Sequence, residues 1–246
     1  MAIRLRYHLK VKRLCGRGYN NYNCCMKMKL TIDLQELKIS RVVKFLVVSD
    51  LLFLGGWGLI GPLFAIFIFD TIPQATMLIV GGATAIYWFT KSILQLPVAI
   101  FLDRVVGEKD DFYALLISLI LSGFVAMSFL LVKTVNGLFF VSFLQGIAFA
   151  FYTPSWSGIF SRHLDKEHYA YEWSLDSTTI GIAYGITALL GGVIAQYFGF
   201  QAVYISVALL SFSSAILLFS VPDLVFPKGV SRESLIRDHT PMNINR

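Results

Sequence analysis

Residues 177–222 read STTIGIAYGITALLGGVIAQYFGFQAVYISVALLSFSSAILLFSVP and contain no Asp, Glu, Lys or Arg. A helix needs about 20 apolar residues to cross the hydrocarbon core of a membrane, so this stretch is long enough for two crossings. The segment Phe198-Gly199-Phe200-Gln201 lies near its middle, and glycine readily adopts the backbone angles of a turn. The sequence therefore predicts two membrane helices joined at these four residues.

Four further stretches are long enough to cross a membrane and are almost free of charge. They cover residues 51–69, 71–102 (interrupted only by Lys91), 112–132 and 134–161. The sequence lacks the alternation of apolar and polar residues that would predict the strands of a membrane β-barrel. Helices satisfy their own backbone hydrogen bonds in lipid, so the sequence predicts an all-α membrane protein with six transmembrane helices.

The composition agrees with this prediction and excludes a soluble enzyme. Of the 246 residues, 56% are hydrophobic and 15% are charged, and mean hydropathy is +0.67, whereas soluble domains carry about 25% charged residues. No paired acids, nucleophile or metal ligands occur at membrane depth, so we expect neither catalysis nor a metal or other cofactor. Three regions are predicted: a basic tail at 1–41, a six-helix bundle at 42–222, and a second tail or truncated central loop at 223–246.

The basic residues are distributed asymmetrically about the predicted helices. Eighteen of the 21 Lys and Arg fall in the two tails and in the connections near Arg104 and Arg162, whereas the opposite connections hold only Lys133. Lys and Arg accumulate on the cytoplasmic side, so we predict a multi-pass protein of the cell membrane with both termini cytoplasmic. Glu172 and Asp176 then mark the start of the fifth helix, where acids suit the helix dipole. Anionic lipid explains the net charge of +6 without a nucleic-acid partner.

The amino-terminal tail leaves two interpretations open. Residues 1–32 contain eight Lys or Arg, no acid, and all three cysteines. They either form a basic cytoplasmic tail or precede the true start of translation, at Met26 or Met28. The adjacent pair Cys24-Cys25 lacks the spacing of a metal site.

The connection after the second predicted helix carries a sequence motif. It reads AIFLDRVVGEKDD from Ala99 to Asp111, and its main positions are Asp103, Arg104 and Gly107. This resembles the loop signature of the major facilitator superfamily, Gly-x-x-x-Asp-Arg-x-Gly-Arg-Lys, with Ala99 in place of the first glycine and one extra residue before Gly107. The resemblance implies a conformational-switch loop that ties neighbouring helices together in one state and releases them in another.

Glycines in the fourth and fifth predicted helices add to this resemblance. Gln145-Gly146 lies in the fourth helix, and the Gly-rich fifth helix ends in a Phe-Gly-aromatic turn, as in that superfamily. Small residues allow helices to approach closely; those expected to do so are Gly181, Gly185, Gly191 and Gly192. Ser142 stands where many proton-coupled members carry an Arg, which argues against proton coupling through that position.

The resemblance covers residues 42–222 and implies the amino-terminal half of a twelve-helix transporter, built as a 3+3 repeat. The implied function is transport of a small solute or ion by alternating access. The implied partners are the lipid bilayer and a second six-helix half, supplied by another copy or by a separate chain. The alternative is a non-transporting six-helix scaffold or an inactive transporter fragment.

Five polar residues within the predicted helices are candidates for the path of the solute or ion: Asp50, Lys91, Gln95, Gln145 and Tyr152. A charge in the bilayer costs at least about 2.5 kcal/mol, which favours a function for Asp50 and Lys91. Lys91 and Gln95 share one helical face, and Gln145 and Tyr152 fall near one face of the fourth helix. Simpler alternatives are a hydrated Asp50 at the membrane boundary, a Lys91 that extends to the headgroups, and a Tyr152 that only packs.

Overall fold

The computed structural model describes residues 41–104, 109–164 and 169–220, which are helical apart from short turns. The elements are helix α1 (Arg41–Gly58), a 3-10 turn (Gly61–Leu63), α2 (Phe64–Thr71), α3 (Met77–Arg104), α4 (Lys109–Phe129), α5 (Val135–His163) and α6 (Tyr169–Phe219). No strand occurs in the three described ranges, and the predicted all-α class is confirmed for them. Gly107 and the predicted tails, apart from Arg41, lie outside these ranges.

Within the three described ranges, five helical stretches are long and apolar enough to cross a membrane. They are Arg41–Thr71, Met77–Arg104, Lys109–Phe129, Val135–His163 and Tyr169–Phe219. The last has 51 residues, which at 1.5 Å per residue is more than twice the thickness of a hydrocarbon core. Gly199 interrupts it with φ 79° and ψ 171°. Helix α6 therefore has a first arm, residues 169–198, and a second arm, residues 200–219, and the break coincides with the predicted joint.

The first of these five stretches, Arg41–Thr71, changes from α-helix to 3-10 helix and back at a segment that contains Gly61 and Pro62. Pro62 lies in the first turn of the 3-10 segment, where its missing N–H costs no hydrogen bond. Leu59 and Leu63 donate their N–H groups three residues back, to the carbonyls of Gly56 and Ile60, at 3.1 and 2.9 Å. Helices α1 and α2 thus continue one another through a tightened turn.

The connections between helices cluster at two ends of the bundle. Residues 72–74, before α3, and residues 133–136, before and within the start of α5, line one depression. The rings of Phe67 in α2 and Phe200, next to the α6 break, are 5.7 Å apart. At the opposite end, Asp111 of α4 forms an ion pair with Arg162 of α5. Successive connections therefore alternate between the two ends.

Helix packing depends on small residues at the crossings. Helix α1 packs against α6, α6 against α4, α4 against α5, and α5 against α3. Gly56 of α1 faces Leu210 of the second α6 arm, and Gly146 of α5 faces Thr90 of α3. In lipid, association of helices is driven by such close packing and by interhelical hydrogen bonds. One such bond joins α1 to α6, where the buried hydroxyls of Ser49 and Ser214 are 2.7 Å apart.

Two apolar faces stay outside the packed interior. Only Ala83 and Leu102 of the 28 residues of α3 are buried, whereas Phe89 and Leu96 are each 69% exposed. The first arm of α6 is similar, with Leu189 75% exposed. These faces are available to lipid or to another apolar surface.

Candidate functional site

A cavity of about 420 Å³ lies between the helices, and all six helices contribute to its wall. None of its fourteen lining residues is charged, and eight are aromatic: Trp57, Phe64, Tyr87, Trp88, Phe129, Phe149, Tyr184 and Tyr204. Aromatic rings offer large apolar faces with polar atoms at their edges. The wall therefore suits a small, mostly apolar molecule.

The cavity lies at mid-depth in the bundle. Tyr87 and Gln145 line it and are close to the middle of α3 and α5, and Tyr184 is at the middle of the first arm of α6. At 1.5 Å per residue, Tyr87 and Gln145 are about 15 Å from the first residues of α3 and α5 and about 26 Å from the last. Phe129, the last residue of α4, also lines the cavity. The cavity thus reaches from mid-depth toward the end of the bundle at which α3 and α5 begin.

Ring packing holds the walls in place. Phe129 of α4 and Tyr204 of α6 are stacked, with centroids 5.0 Å apart and planes at 17°. Phe149 of α5 makes edge contacts with Trp57, at 5.5 Å, and with Tyr87, at 5.7 Å. Such pairs favour defined ring orientations, so ring contacts join α4 to α6, and α5 to α1 and α3, around the cavity.

Three lining residues carry buried polar atoms with no hydrogen-bond partner among the described residues. They are Nε1 of Trp57, Oγ of Ser142 and the hydroxyl of Tyr204. Buried polar groups in proteins nearly always have a partner, and leaving one unpaired costs about 1–3 kcal/mol. The indole can only donate, and hydroxyls donate readily. These three atoms belong to lining residues but are themselves buried within the wall.

The two predicted path residues of α5 have different surroundings. Gln145 lines the cavity one turn after Ser142, so its amide adds a donor and an acceptor to the wall. Tyr152 is outside the lining and is 5% exposed. Its ring packs on Phe53 of α1 at a centroid distance of 4.4 Å. The structure thus brings Gln145, and not Tyr152, to the cavity.

Lys91 is at the edge of the cavity. Its Nζ atom is 5.1 Å from the ring centroid of Trp88 and 5.9 Å from that of Phe149, two lining residues. Both distances are within the range of cation–π attraction. Gln95, one turn further along α3, does not line the cavity. The predicted polar stripe of α3 therefore reaches the site only at its Lys91 end.

Asp50 is buried between α1 and α6, at 2% exposure. Asp176 of the first α6 arm, which is 4% exposed, interacts electrostatically with Asp50. Neither carboxylate has an ion pair among the described residues. Tyr184, which lines the cavity, also interacts electrostatically with Asp50. Asp50 is thus an interior residue next to the cavity wall.

Asp176 does not mark the start of the fifth helix, and the prediction from the sequence was wrong for this residue. Helix α6 begins at Tyr169, so Asp176 is about two turns inside it, beyond the reach of the helix dipole. The sequence did not indicate Asp176 as an interior residue. Spacing along one helix does not show that Asp176 interacts with Asp50, which belongs to α1. In the sequence, the one sign that α5 forms part of the cavity wall was the spacing of Ser142 and Gln145, which are three residues apart and so lie near one helical face.

The predicted switch residues Asp103 and Arg104 are exposed at the end of α3. Asp103 lies within electrostatic range of Asp111, the buried acid that pairs with Arg162. The ends of α3, α4 and α5 therefore meet in one charged cluster. The sequence motif indicated Asp103 and Arg104 but not this pair, whose members are 51 residues apart.

The four glycines expected to pack differ in their surroundings. A Cβ atom on Gly191 would collide with the backbone of Leu59, so α6 approaches the end of α1 closely there. Gly181, Gly185 and Gly192 have no atom within 4 Å of such a Cβ in the described part of the chain. Those three lie on the exposed side of the first α6 arm.

Comparison with known proteins agrees with this architecture. Residues 46–238 match the family model of the Major Facilitator Superfamily. An uncharacterized MFS-type transporter of Methanocaldococcus jannaschii is 25% identical over 175 residues, which are 71% of this chain and 44% of that protein. The chain thus spans less than half the length of this relative. Because the family model matches most of a chain that carries several apolar, membrane-length helices, the protein is a multi-pass membrane protein that belongs to the Major Facilitator Superfamily of transporters.

Proposed function

We propose that the chain forms one six-helix half of a solute transporter that works by alternating access, with the cavity as its share of the solute site. The observation that supports this most directly is a mid-depth cavity with three unpartnered polar atoms. In transporters built from repeated bundles, solute sites lie near the membrane midplane between bundles that rock against each other. The rival function, a scaffold, needs no such cavity.

Six crossings are part of the proposal. The break at Gly199 divides α6 into two arms, and the alternation of connections between two ends of the bundle fits an even number of crossings with both termini on one side. The basic bias places that side in the cytoplasm. We keep the 3+3 arrangement as part of this proposal.

The proposed second half packs on the faces of α3 and the first α6 arm. Gly181, Gly185 and Gly192 lie on the latter and leave room for close approach of another helix. A bundle alone in lipid would also bring Lys91 and Gln145 close to the hydrocarbon, which is costly. The second half is supplied by another copy or by a separate chain, and measurement of mass distinguishes the two.

Within this function, the cavity favours a small aromatic or otherwise flat apolar solute that carries hydrogen-bond acceptors. Its walls are rings, and the Gln145 amide and the hydroxyls of the lining residues Tyr87 and Tyr184 can donate to acceptors of a bound solute. A sugar, with hydroxyls on every side, would leave most of them unpaired against these rings, at about 1–3 kcal/mol each. The ring faces and the donors together therefore favour a flat solute with acceptor atoms over a sugar.

Alternating access can be tested without knowledge of the solute. A Gln145→Cys variant, in a background with the three native cysteines replaced, is reconstituted in vesicles together with its second half. Gln145 lines the cavity and is only part-buried, so we expect an impermeant thiol reagent to modify this position from each side of the membrane. Ser118→Cys is the control, because Ser118 is fully buried in α4 and away from the cavity, and it should react from neither side. Modification of the Gln145→Cys variant from one side only would support the scaffold function.

The same experiment can measure the effect of the predicted switch residue Asp103. Asp103 is at the end of α3 near the charged cluster, and Asp103→Asn removes its charge. The variant should therefore change the populations of the two states of alternating access, in which the cavity is open to one side of the membrane or to the other. The ratio of the two modification rates in the Gln145→Cys background should then change, while the amount of protein in the membrane stays near normal. A loss of protein with an unchanged ratio would make Asp103 a structural residue.

The solute class is tested by binding, since Trp57 and Trp88 line the cavity and report on it by fluorescence. Aromatic amides and carboxylates should quench this signal at lower concentrations than hexoses of similar size. Replacing Trp57 with Phe should weaken the effect, whereas Trp173→Phe, outside the cavity, should not. Preferential binding of hexoses contradicts the proposed class.

A further inference from the structure

Lys91 carries a charge at the centre of a membrane-length helix. It lies in the middle of the 28 residues of α3, so at 1.5 Å per residue about 20 Å of helix separates it from either end. A lysine side chain has a stem of only four carbon atoms, which is too short to carry the ammonium to the headgroups over that distance. The charge therefore stays within the depth of the membrane, where it is costly unless it is compensated.

The ammonium of Lys91 lies against two rings of the cavity wall. Side chains of an α-helix tilt toward its amino terminus, and Nζ of Lys91 is 5.1 Å from the ring centroid of Trp88, three residues earlier. The same atom is 5.9 Å from the ring centroid of Phe149 on α5. Both rings line the cavity. The two rings therefore hold the ammonium at the edge of the cavity, between α3 and α5.

No negative charge in the described part of the chain neutralises Lys91. None of the residues that line the cavity is charged. Within the described ranges an ion pair joins Asp111 to Arg162, and no acid there is within ion-pair distance of Nζ of Lys91. Aromatic rings attract a cation, but they carry no net charge. The site thus keeps one positive charge, fixed in position by the rings of Trp88 and Phe149.

We propose that Lys91 is the anion-binding residue of the cavity and that the solute is a flat monoanion, an aromatic carboxylate. The ring of such a molecule packs among the aromatic side chains of the wall, and its carboxylate pairs with the ammonium at the edge. This inference rests on the function proposed above and narrows its substrate class. A neutral solute with acceptor atoms would leave the charge of Lys91 without compensation.

The charge of the site favours a carboxylate over a phosphate. Lysine supplies a single point charge, whereas the planar fork of arginine matches phosphate with two parallel hydrogen bonds. A phosphate monoester carries a charge of about −1.5 to −2 at pH 7. Pairing with Lys91 alone would therefore leave negative charge against an uncharged wall, which is unfavourable. One carboxylate and one ammonium cancel each other.

Binding of matched probes tests this anion site. The helices of one chain line the cavity, so the full chain is purified in detergent and its equilibrium binding of radiolabelled benzoate is measured beside that of benzamide, which has nearly the same shape and no charge. We expect benzoate to bind more tightly by about tenfold or more, as for a hydrogen bond to a charged group. Phenyl phosphate should compete less well than unlabelled benzoate. Absence of benzoate binding, equal affinity for benzoate and benzamide, or tighter binding of phenyl phosphate would overturn the proposal.

Substitutions identify the residue that causes the preference. Lys91→Gln removes the charge and should weaken benzoate binding to the level of benzamide, while benzamide binding stays unchanged. Lys91→Arg keeps a cation and should keep the preference. Lys133→Gln is the matched control, because Lys133 is exposed and lines the separate depression at one end of the bundle, and it should bind both probes as the wild-type chain does. Equal weakening of both probes in Lys91→Gln would make Lys91 a structural residue and contradict the anion site.

Chemical modification tests the same contact in the wild-type chain, without any substitution. Acetic anhydride acylates lysine amines, and mass spectrometry of peptides measures the extent of acylation at Lys91 and Lys133. Saturating benzoate should slow acylation of Lys91 and leave that of Lys133 unchanged, and saturating benzamide should protect Lys91 less. Equal acylation of Lys91 with and without benzoate would count against the site.

An acid of the second half is the competing partner for Lys91. The acylation measurement is therefore repeated on the form assembled with its second half. If benzoate still protects Lys91 there, the ammonium is available to the solute, as proposed. If Lys91 is already protected without benzoate, it pairs with the second half, and the proposal is wrong.

None of these measurements requires transport to occur. An anion preference that depends on Lys91, found together with one-sided modification of the Gln145→Cys variant, would refute the transport function alone. Two-sided modification of that variant without an anion preference would refute the anion site alone.

Discussion

At the scale of single residues, glycine matters in this bundle where two helix backbones meet. A Cβ atom at Gly146 would lie 2.7 Å from Cβ of Thr90 and 2.8 Å from the carbonyl oxygen of Tyr87. The backbone oxygen cannot rotate away, so α5 and α3 would have to separate. Gly81 of α3 is a useful contrast, because an added Cβ there meets no atom within 4 Å in the described ranges.

We therefore expect Gly146→Ala to lower the free energy of unfolding by about 1–3 kcal/mol, the usual cost of overpacking. Gly81→Ala should be neutral or raise it by up to about 1 kcal/mol, because alanine favours helix over glycine. Unfolding in mixed detergent micelles, followed by circular dichroism, measures both. Equal effects of the two substitutions would contradict the close α3–α5 contact.

At the scale of elements, the ion pair between Asp111 and Arg162 joins α4 to α5, and its two side chains differ in their exposure. The Asp111 side chain is 2% exposed, whereas that of Arg162 is 35% exposed. If the acid is replaced, the arginine is still partly hydrated. If the arginine is replaced, a buried carboxylate loses its compensating charge.

Arg162→Gln should therefore destabilise the bundle by about 3 kcal/mol, and Asp111→Asn by about 1 kcal/mol, because asparagine still accepts a hydrogen bond from the arginine. The difference should shrink at acid pH, where the unpaired Asp111 takes up a proton and loses its charge. Unfolding measured at neutral and acid pH checks both statements. A larger loss in Asp111→Asn would contradict them.

The break in α6 is the second feature at this scale. Gly199 has φ 79° and ψ 171°, a region that side chains other than glycine occupy at a cost of about 1–3 kcal/mol. Gly199→Ala should lower the free energy of unfolding by that amount, since the second arm of α6 can return along the bundle only if the helix is broken at this residue. Gly192→Ala, at a helical position with free space, is the control and should have no such cost in the same unfolding measurement.

At the scale of the whole molecule, orientation in the membrane follows from the proposed six crossings and the basic bias. Single cysteines at Asn136 and Gln201, in the cysteine-free background, should react with an impermeant thiol reagent applied from outside intact cells. A cysteine at Lys166 should react only after the membrane is opened. The opposite pattern would reverse the proposed topology.

The second prediction at this scale concerns assembly. One chain has a mass of 27.6 kDa, and we expect transport only when a second six-helix unit is present. Native mass spectrometry of the active form should show either twice this mass or an additional chain of similar size. Solute transport into liposomes by a form with the mass of a single chain would contradict the half-transporter proposal.

Membrane crossing, helical class and the joint at Gly199 could all be predicted from the sequence, because hydropathy and glycine act locally. The candidate site was predictable only in part. Gln145 was identified as a path residue and Asp50 as a charge within a helix, whereas Ser142 and Tyr204 were missed as unpartnered cavity groups. Whether a hydroxyl has a partner depends on neighbouring helices, and no spacing along one helix reveals it.

The amino-acid sequence by itself determined that this protein crosses a membrane as helices, since an apolar stretch must satisfy its backbone within lipid whatever surrounds it. It also determined which family signatures the chain carries. Only the tertiary structure decided which side chains meet. Ser49 and Ser214 are 165 residues apart, and Asp111 and Arg162 are 51 apart; each pair exists because helices distant in sequence pack side by side. Contacts of this kind depend on which helix faces lie against each other, and that is a property of the whole bundle.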